Sequence, residues 1–280
     1  MTACIVDPLP SGVDAWLVEE AERAGLRASQ PPEQLELDGW LLRLLPGKAK
    51  RARCVNALRV GERSLDDKLA ACVRLYREAG LPLFVRITPF SAPAELDGVL
   101  AARGWRVHDA TRVLVHPALA DVPVLALPDG LVEEAADAQG YARAVGALRG
   151  STALEIDSHI HRLQASPVPY QGRLWRQAGP PGPPGDPSSG AVLACAQVAR
   201  DGELVGLYDV YTAPAARGRG WSTALCARVL RQAHAQGARL GYLQVDADNA
   251  AALKVYRRLG FVEAYRYHYR LSPQDEASTH

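Results

Sequence analysis

Apolar side chains recur every three or four positions in two stretches of the chain: Leu65, Leu69, Cys72, Tyr76 and Ala79, and later Leu225, Val229, Leu230 and Ala233. That period lines one face of a helix. Each stripe ends near a glycine, Gly80 or Gly237, where a residue without a Cβ closes a helix at least cost. An apolar run follows, and Leu240 to Val245 reads as a short buried strand. A second helix comes next, spanning about 250–259 in the later stretch, and Gly104 and Gly260 stand where a left-handed C-cap is needed. Three more strands are expected at about 171–177, 191–199 and 204–213. Near the start, the runs around Leu42, Leu44, Val55 and Leu58 read as a hairpin turning at Pro46 and Gly47.

Residues 64–115 and 221–270 therefore share one order: helix, glycine, strand, short loop, helix, glycine-aromatic, strand. Gly80 lies 24 residues before Gly104 and Gly237 lies 23 before Gly260, with Trp105 and Phe261 after the second glycine in each copy. A single insertion accounts for the difference. The pattern predicts an α/β protein of two tandem domains, 1–120 and 129–271, joined by a proline-interrupted connector at 121–128 and followed by a flexible tail at 272–280. The stretch AGPPGPPGDPSSG, from Ala178 to Gly190, cannot continue a strand ladder and is expected as a mobile surface loop.

A length of 280 residues accommodates two cores. With 48% hydrophobic and 22% charged residues the chain reads as folded rather than disordered. Its 32 basic and 31 acidic side chains leave a net charge of +1, so no chain-wide field draws it to nucleic acid or an anionic membrane. The beginning lacks a basic-then-apolar leader and no run of eighteen apolar residues occurs. A cytoplasmic protein is expected. The five cysteines are odd in number and far apart, without a C-x-x-C pair, so reduced thiols and no metal site are expected.

The stretch VGLYDVYTAPAARGRGWSTALCARVLRQA describes a strand that feeds the N-terminus of an amphipathic helix through an Arg-Gly-Arg-Gly turn. Free backbone N–H groups and the positive end of the helix dipole make such a terminus an anion site suited to a pyrophosphate. Gly218 and Gly220 let the anion approach closely, Arg217 and Arg219 add charge, and Ser222 and Thr223 add hydroxyl donors. No G-K-[ST] follows, which excludes a Walker loop. Thr223 stands where a dinucleotide fingerprint has its third glycine, and no ribose-binding acid follows about 20 residues on.

Arg217-Gly218-Arg219-Gly220-Trp221-Ser222 resembles the R/Q-x-x-G-x-G/A pyrophosphate loop of the GNAT acetyltransferase superfamily, with Ser222 where that pattern has glycine or alanine. Asn249, Ala252, Tyr256 and Arg258-Leu259-Gly260-Phe261 resemble the same family's N-x-x-A-x-x-x-Y-x-x-x-G-F segment. The resemblance covers about 130 residues of the second half, and the first half only through element order. It implies two tandem GNAT-like domains, each a twisted mixed β-sheet flanked by helices. It further implies that the strands at about 204–213 and 240–245 splay apart to admit the pantetheine arm of acetyl-coenzyme A, a co-substrate needing no metal. By that resemblance Val210, Tyr211 and Thr212 pair with the arm. Arg217, Gly218, Arg219, Gly220, Trp221, Ser222 and Thr223 hold the pyrophosphate, Asn249 and Ala252 also line the cofactor, and Tyr256 protonates the departing thiolate. The implied activity is N-acetyl transfer to a small-molecule or peptide amine by direct attack.

An alkylammonium, with a reference pKa of about 10.4, must lose a proton before attack. Asp209 is the candidate base on the strand itself; Glu155, Asp157, His159 and His161 are candidates on a helix expected at the substrate side. Ordinary roles compete with several of these assignments. Tyr256 shares a stripe with Ala252, Val255 and Leu259 and could be a core aromatic, and Asn249 could be only an N-cap. Cys226 reads as a buried small hydrophobe, and the Lys48, Lys50, Arg51, Arg53 cluster as a solvated hairpin tip. The first copy has Asn56-Ala57-Leu58-Arg59-Val60-Gly61-Glu62-Arg63-Ser64 where its phosphate loop should lie, and Glu62 is unfavourable facing a pyrophosphate. That copy is expected to have lost cofactor binding. A non-catalytic acyl-coenzyme A sensor of the same fold is the alternative function, and a monomer or homodimer is expected.

Overall fold

A computed structural model describes residues 13–178 and 190–278; most of the Pro/Gly segment expected as a mobile loop, together with Cys4 and the first twelve residues, lies outside them. Helix α1 (Ala15–Ala28) leads into the hairpin β1 (Gln34–Leu37) and β2 (Trp40–Arg43). Asp38 and Gly39 turn between the two strands at φ 49° and 84°, the left-handed pair that an Asp-Gly hairpin turn uses. Strand β3 (Val55–Ala57), α2 (Leu65–Glu78), β4 (Phe84–Ile87), α3 (Leu96–Ala102) and β5 (Arg106–His116) complete the first half. The second runs β6 (Leu131–Ala136), α4 (Ala138–Arg149), α5 (Ala153–Ala165), β7 (Tyr170–Gln177), β8 (Val192–Asp201), β9 (Leu204–Thr212), α6 (Trp221–Ala235), β10 (Leu240–Asp246), α7 (Ala250–Arg258) and β11 (Val262–Leu271).

The repeated elements all form, and each half has the expected mixed sheet with flanking helices. The sheets are not separate. Eleven strands make one sheet in the order β1-β2-β3-β4-β11-β5-β10-β9-β8-β7-β6. The two halves exchange their last strands: β11 pairs antiparallel with β4, β5 pairs antiparallel with β10, and the two exchanged strands pair with each other. Only β3–β4 and β9–β10, corresponding pairs in the two copies, are parallel.

Alternation along the exchanged strands feeds two cores. Val113 and Val115 of β5 join Tyr265, Tyr267 and Tyr269 of β11 beneath α1, whose Leu17, Val18, Ala21 and Ala24 cover the join. Leu114 points to the other face, among the α6 and α7 side chains Leu225, Val229, Leu230 and Leu253. A third core packs α2 and α3 on β2–β4 around Trp40, Leu69, Tyr76 and Leu100. The stretch expected as a flexible tail starts with Ser272 N–H donating to the Leu83 carbonyl, and Asp275 accepts the Leu83 N–H at 2.9 Å.

Candidate active site

Strands β9 and β10 pair from Leu204–Leu207 against Leu240–Leu243 and then part. Val210, Tyr211 and Thr212 lie beyond the last pair, on the open arm of this fork, with β8 on their other side. A bulge between the Cys195–Tyr211 and Gln197–Tyr208 pairs displaces Asp209, whose φ is 48°. Aspartate tolerates this left-handed backbone better than most residues, and the bulge re-aims its side chain.

From Thr212 the chain turns through Pro214–Ala216 into Arg217-Gly218-Arg219-Gly220, and α6 begins at Trp221. Gly218 and Gly220 have φ of 79° and 77°, which a side chain would strain. Among the described residues no atom lies within 4 Å of where a Cβ would stand on either glycine. Gly220 caps α6 without a side-chain hydrogen bond, so the first-turn N–H groups that Ser222 and Thr223 share face an open approach. Arg217 donates to the Thr212 carbonyl at 3.2 Å and lies over Tyr211, and Arg219 lies over Trp221. These features fit a pyrophosphate.

The corresponding approach in the first half is filled. Asp38 accepts from the N–H groups of Glu62 and Arg63, both at 2.9 Å, and pairs with buried Lys68 at 3.1 Å. A Cβ on Gly61 would stand 2.2 Å from the Asp38 carboxylate. Ser64 caps α2 by accepting the Asp67 N–H. The sequence drew attention to Glu62; the carboxylate on the loop amides belongs to Asp38, delivered by a hairpin turn 24 residues away.

On α7, Asn249 accepts the Ala252 N–H at 3.0 Å, so its side-chain oxygen serves as the N-cap. Tyr256 is buried, its ring edge-on to Phe261 at 6.1 Å between centroids. Burial raises the phenol above its ordinary value, and the nearby charges of Arg149 and Asp209 act on it in opposite senses. Among the described residues nothing hydrogen-bonds its hydroxyl. Ala252 packs half-buried beside this core. Cys226 is buried, which pushes its thiol up to about 12 and leaves it inert.

A cavity of about 350 Å³ adjoins the fork, with Asp209 of β9 and Gln244, Val245 and Asp246 of β10 on one wall. Arg149, Glu155, His159 and Arg162 of α4 and α5 form another, and the loop from Leu45 to Ala52 a third. Of the helical base candidates, Glu155 and His159 reach it, while Asp157 and His161 are exposed outside it. Asp209 accepts from Gln197 at 2.7 Å and faces Arg149 at 3.0 Å, His159 at 3.2 Å and Arg162 at 3.5 Å. Burial alone would raise its carboxyl; the imidazole and the two guanidiniums hold it well below the usual carboxylate range. The loop expected as a solvated tip folds over the cleft: Lys48 pairs with Glu155 at 3.1 Å, and Arg51 lies 5.7 Å from the Tyr208 ring centre.

The decisive comparison is with the family described as "Acetyltransferase (GNAT) family", whose model matches residues 152–261. Over that segment, less than half of the chain, this protein is similar to the GNAT acetyltransferase family. The match runs from α5 to the start of β11 and takes in the glycine cradle, the fork and Tyr256. The chain is similar over part of its length to mycothiol acetyltransferases: 43% identical over 76 residues to that of Streptomyces avermitilis and 49% over 61 to that of Amycolatopsis mediterranei. The matched regions span 25% and 20% of those relatives and 22% and 21% of this chain. In solved structures the whole fold is similar to a GCN5-related N-acetyltransferase from Kribbella flavida, with a TM-score of 0.63 and 17% identity over 96% of this chain and 99% of that one. A tandem GNAT protein from the clavulanic acid biosynthesis pathway gives 0.57 and 17% over 74% and 69%.

Proposed function

We propose that this chain is an N-acetyltransferase that moves acetyl from acetyl-coenzyme A to the amine of a small molecule or peptide by direct attack. The observation that carries the reading is the pair of left-handed glycines opening the N-terminus of α6 beside the parted ends of β9 and β10. On this reading the α6 amides and Arg217 to Thr223 hold the pyrophosphate, and Val210, Tyr211 and Thr212 hold the pantetheine arm, with Asn249 and Ala252 beside it. The bound co-substrate supplies the acetyl thioester. The names of the mycothiol acetyltransferases support acetyl transfer as the reaction.

The amine nitrogen attacks the thioester carbon, a C–N bond forms, and the C–S bond breaks with its electron pair on sulfur. Tyr256, buried and kept protonated, gives that sulfur its proton. A carboxylate as stabilised as Asp209 is a weak proton acceptor by itself. Its part is to orient His159, which takes the amine proton directly or through water. The first half serves as support and as one wall of the cleft.

One coenzyme A per chain is expected by calorimetry, because Asp38 fills the first half's cradle. Gly220→Glu puts a side chain on left-handed backbone and a negative charge against the pyrophosphate, and should abolish that binding in a folded protein. Undiminished affinity would remove the basis of the reading.

A further inference from the structure

Among the described residues the cations lining the cavity pair off with one exception, while Asp246 at its edge accepts only the Asp248 N–H. Lys48 meets Glu155, Lys50 forms an ion pair with Asp109, and Arg149 and Arg162 share Asp209. Arg51 meets no carboxylate among the described residues. Its guanidinium faces the Tyr208 ring, and its Nη1 is buried without a hydrogen-bond partner among the described residues.

The ground behind Arg51 is also positive. Ser29, Arg51 and Gln244 line both the cavity and a smaller gap bordered by Glu22, Arg43 and Arg86. Glu22 is committed to Arg86 through two contacts of 2.5 and 2.9 Å. Arg43 is held by neutral carbonyls instead, from Leu26 at 2.6 Å and from Ser29 and Arg51 at 3.2 Å. Three guanidiniums thus stand against one carboxylate. Burial lowers Arg43 to about 10, and repulsion from Arg86 and Arg51 adds to it. A buried donor without an acceptor is costly, and a buried cation without a counter-charge more so. Such an arrangement calls for a partner that the described residues do not supply.

Resting on the acetyltransferase reading, we propose that the acceptor amine also carries a carboxylate, which Arg51 binds inside the cavity while the amine faces the β9–β10 fork. A planar guanidinium matches the two oxygens of a carboxylate, and with the rim lysines already paired, one cation suits a monoanion better than a phosphate dianion. A volume of about 350 Å³ suits an acceptor of amino-acid or dipeptide size.

The test pairs free amino acids and dipeptides with their C-terminal carboxamides and measures thiol release from acetyl-coenzyme A by the full-length protein. The acid of an accepted pair should exceed its amide in kcat/KM by about tenfold or more, the worth of a charged hydrogen bond. In Arg51→Gln that ratio should collapse towards one, and in Arg51→Lys, which keeps the charge but not the fork, it should fall in between. Thermal midpoints and calorimetry with acetyl-coenzyme A report whether each variant is folded. A parent that prefers amides, treats both forms alike or accepts neither overturns the proposal, as does an unchanged ratio in folded Arg51→Gln. Failure of the parent to bind acetyl-coenzyme A would instead defeat the acetyltransferase reading beneath it.

Discussion

Tyr256 has a buried ring and an uncommitted hydroxyl, and only the second feature separates an acid from a core aromatic. A thiolate acquires its charge as the C–S bond breaks, so a proton aimed at sulfur helps the transition state more than the ground state. Tyr256→Phe keeps the packing on Phe261 and should lower kcat by about 10²-fold, about 2.7 kcal/mol, with little change in KM for acetyl-coenzyme A. His159→Gln should lose rate in a different way. Without a base the reaction depends on amine already free of its proton, so the deficit shrinks as pH rises towards the acceptor amine's own pKa, whereas the Tyr256→Phe deficit does not follow the free amine. Parallel pH–rate profiles of the two variants with the parent decide the matter, and full activity in stable Tyr256→Phe would falsify its role as the acid. The places of Tyr256 and Asp209 in the fold were legible, one on the helical stripe before Gly260 and the other on the strand that feeds the glycine turn. Of the partners that hold Asp209 ionised, His159, Arg162 and Arg149, the two arginines come from separate helices 47 and 60 residues away. Arginines on charged helices look like solvated side chains until the fold brings them together.

The two phosphate-type turns show how one β-strand, loop and helix arrangement diverges through a single distant side chain. At α6 the cap is a glycine with open space before it; at α2 the cap is Ser64, and Asp38 occupies the loop amides. That the first half's loop departs from a phosphate-binding pattern was readable from its composition, but the carboxylate that fills it was not, because Asp38 lies in a hairpin turn with an ordinary reason to be aspartate. Its hydrogen bonds from the Glu62 and Arg63 amides, with Lys68 assisting, lower its carboxyl from 3.8 to about 2. A carboxyl depressed by folding stabilises the native state above its unfolded value and loses that contribution as pH falls through its folded value. The stability gap between the parent and Asp38→Asn should therefore be full above about pH 4 and narrow steadily towards pH 2, as read by urea unfolding at each pH. A gap that stays constant through that range would mean that the carboxylate's charge contributes nothing there.

Across the whole molecule, the exchange of β5 and β11 turns two similar halves into one sheet. Nothing local reveals it: Val113, Leu114 and Val115 alternate in the same way whether they pair with their own half or the other, and the repeat alone suggests two independent domains. The energetics differ sharply. Val113, Leu114 and Val115 are each at most 1% exposed, and burying an aliphatic side chain contributes about 1.5–3 kcal/mol. Those three side chains alone approach the roughly 5–15 kcal/mol that holds a whole domain folded. A fragment containing only residues 122–280 would lack β5, leaving the Gly241–Asp246 edge of β10 unpaired and β11 without either neighbour. Open edges of this kind invite aggregation or exchange with another copy. The fragment should thus fail to fold as a monomer that binds acetyl-coenzyme A, while co-expression with residues 1–121 should restore a one-to-one complex that binds it once. Unfolding of the intact chain should be a single transition, since neither half keeps a complete sheet after the other melts. If residues 122–280 alone bind acetyl-coenzyme A as a monomer with the affinity of the full chain, the exchanged strands are an ornament on an independent domain and the first half is dispensable for the cofactor site.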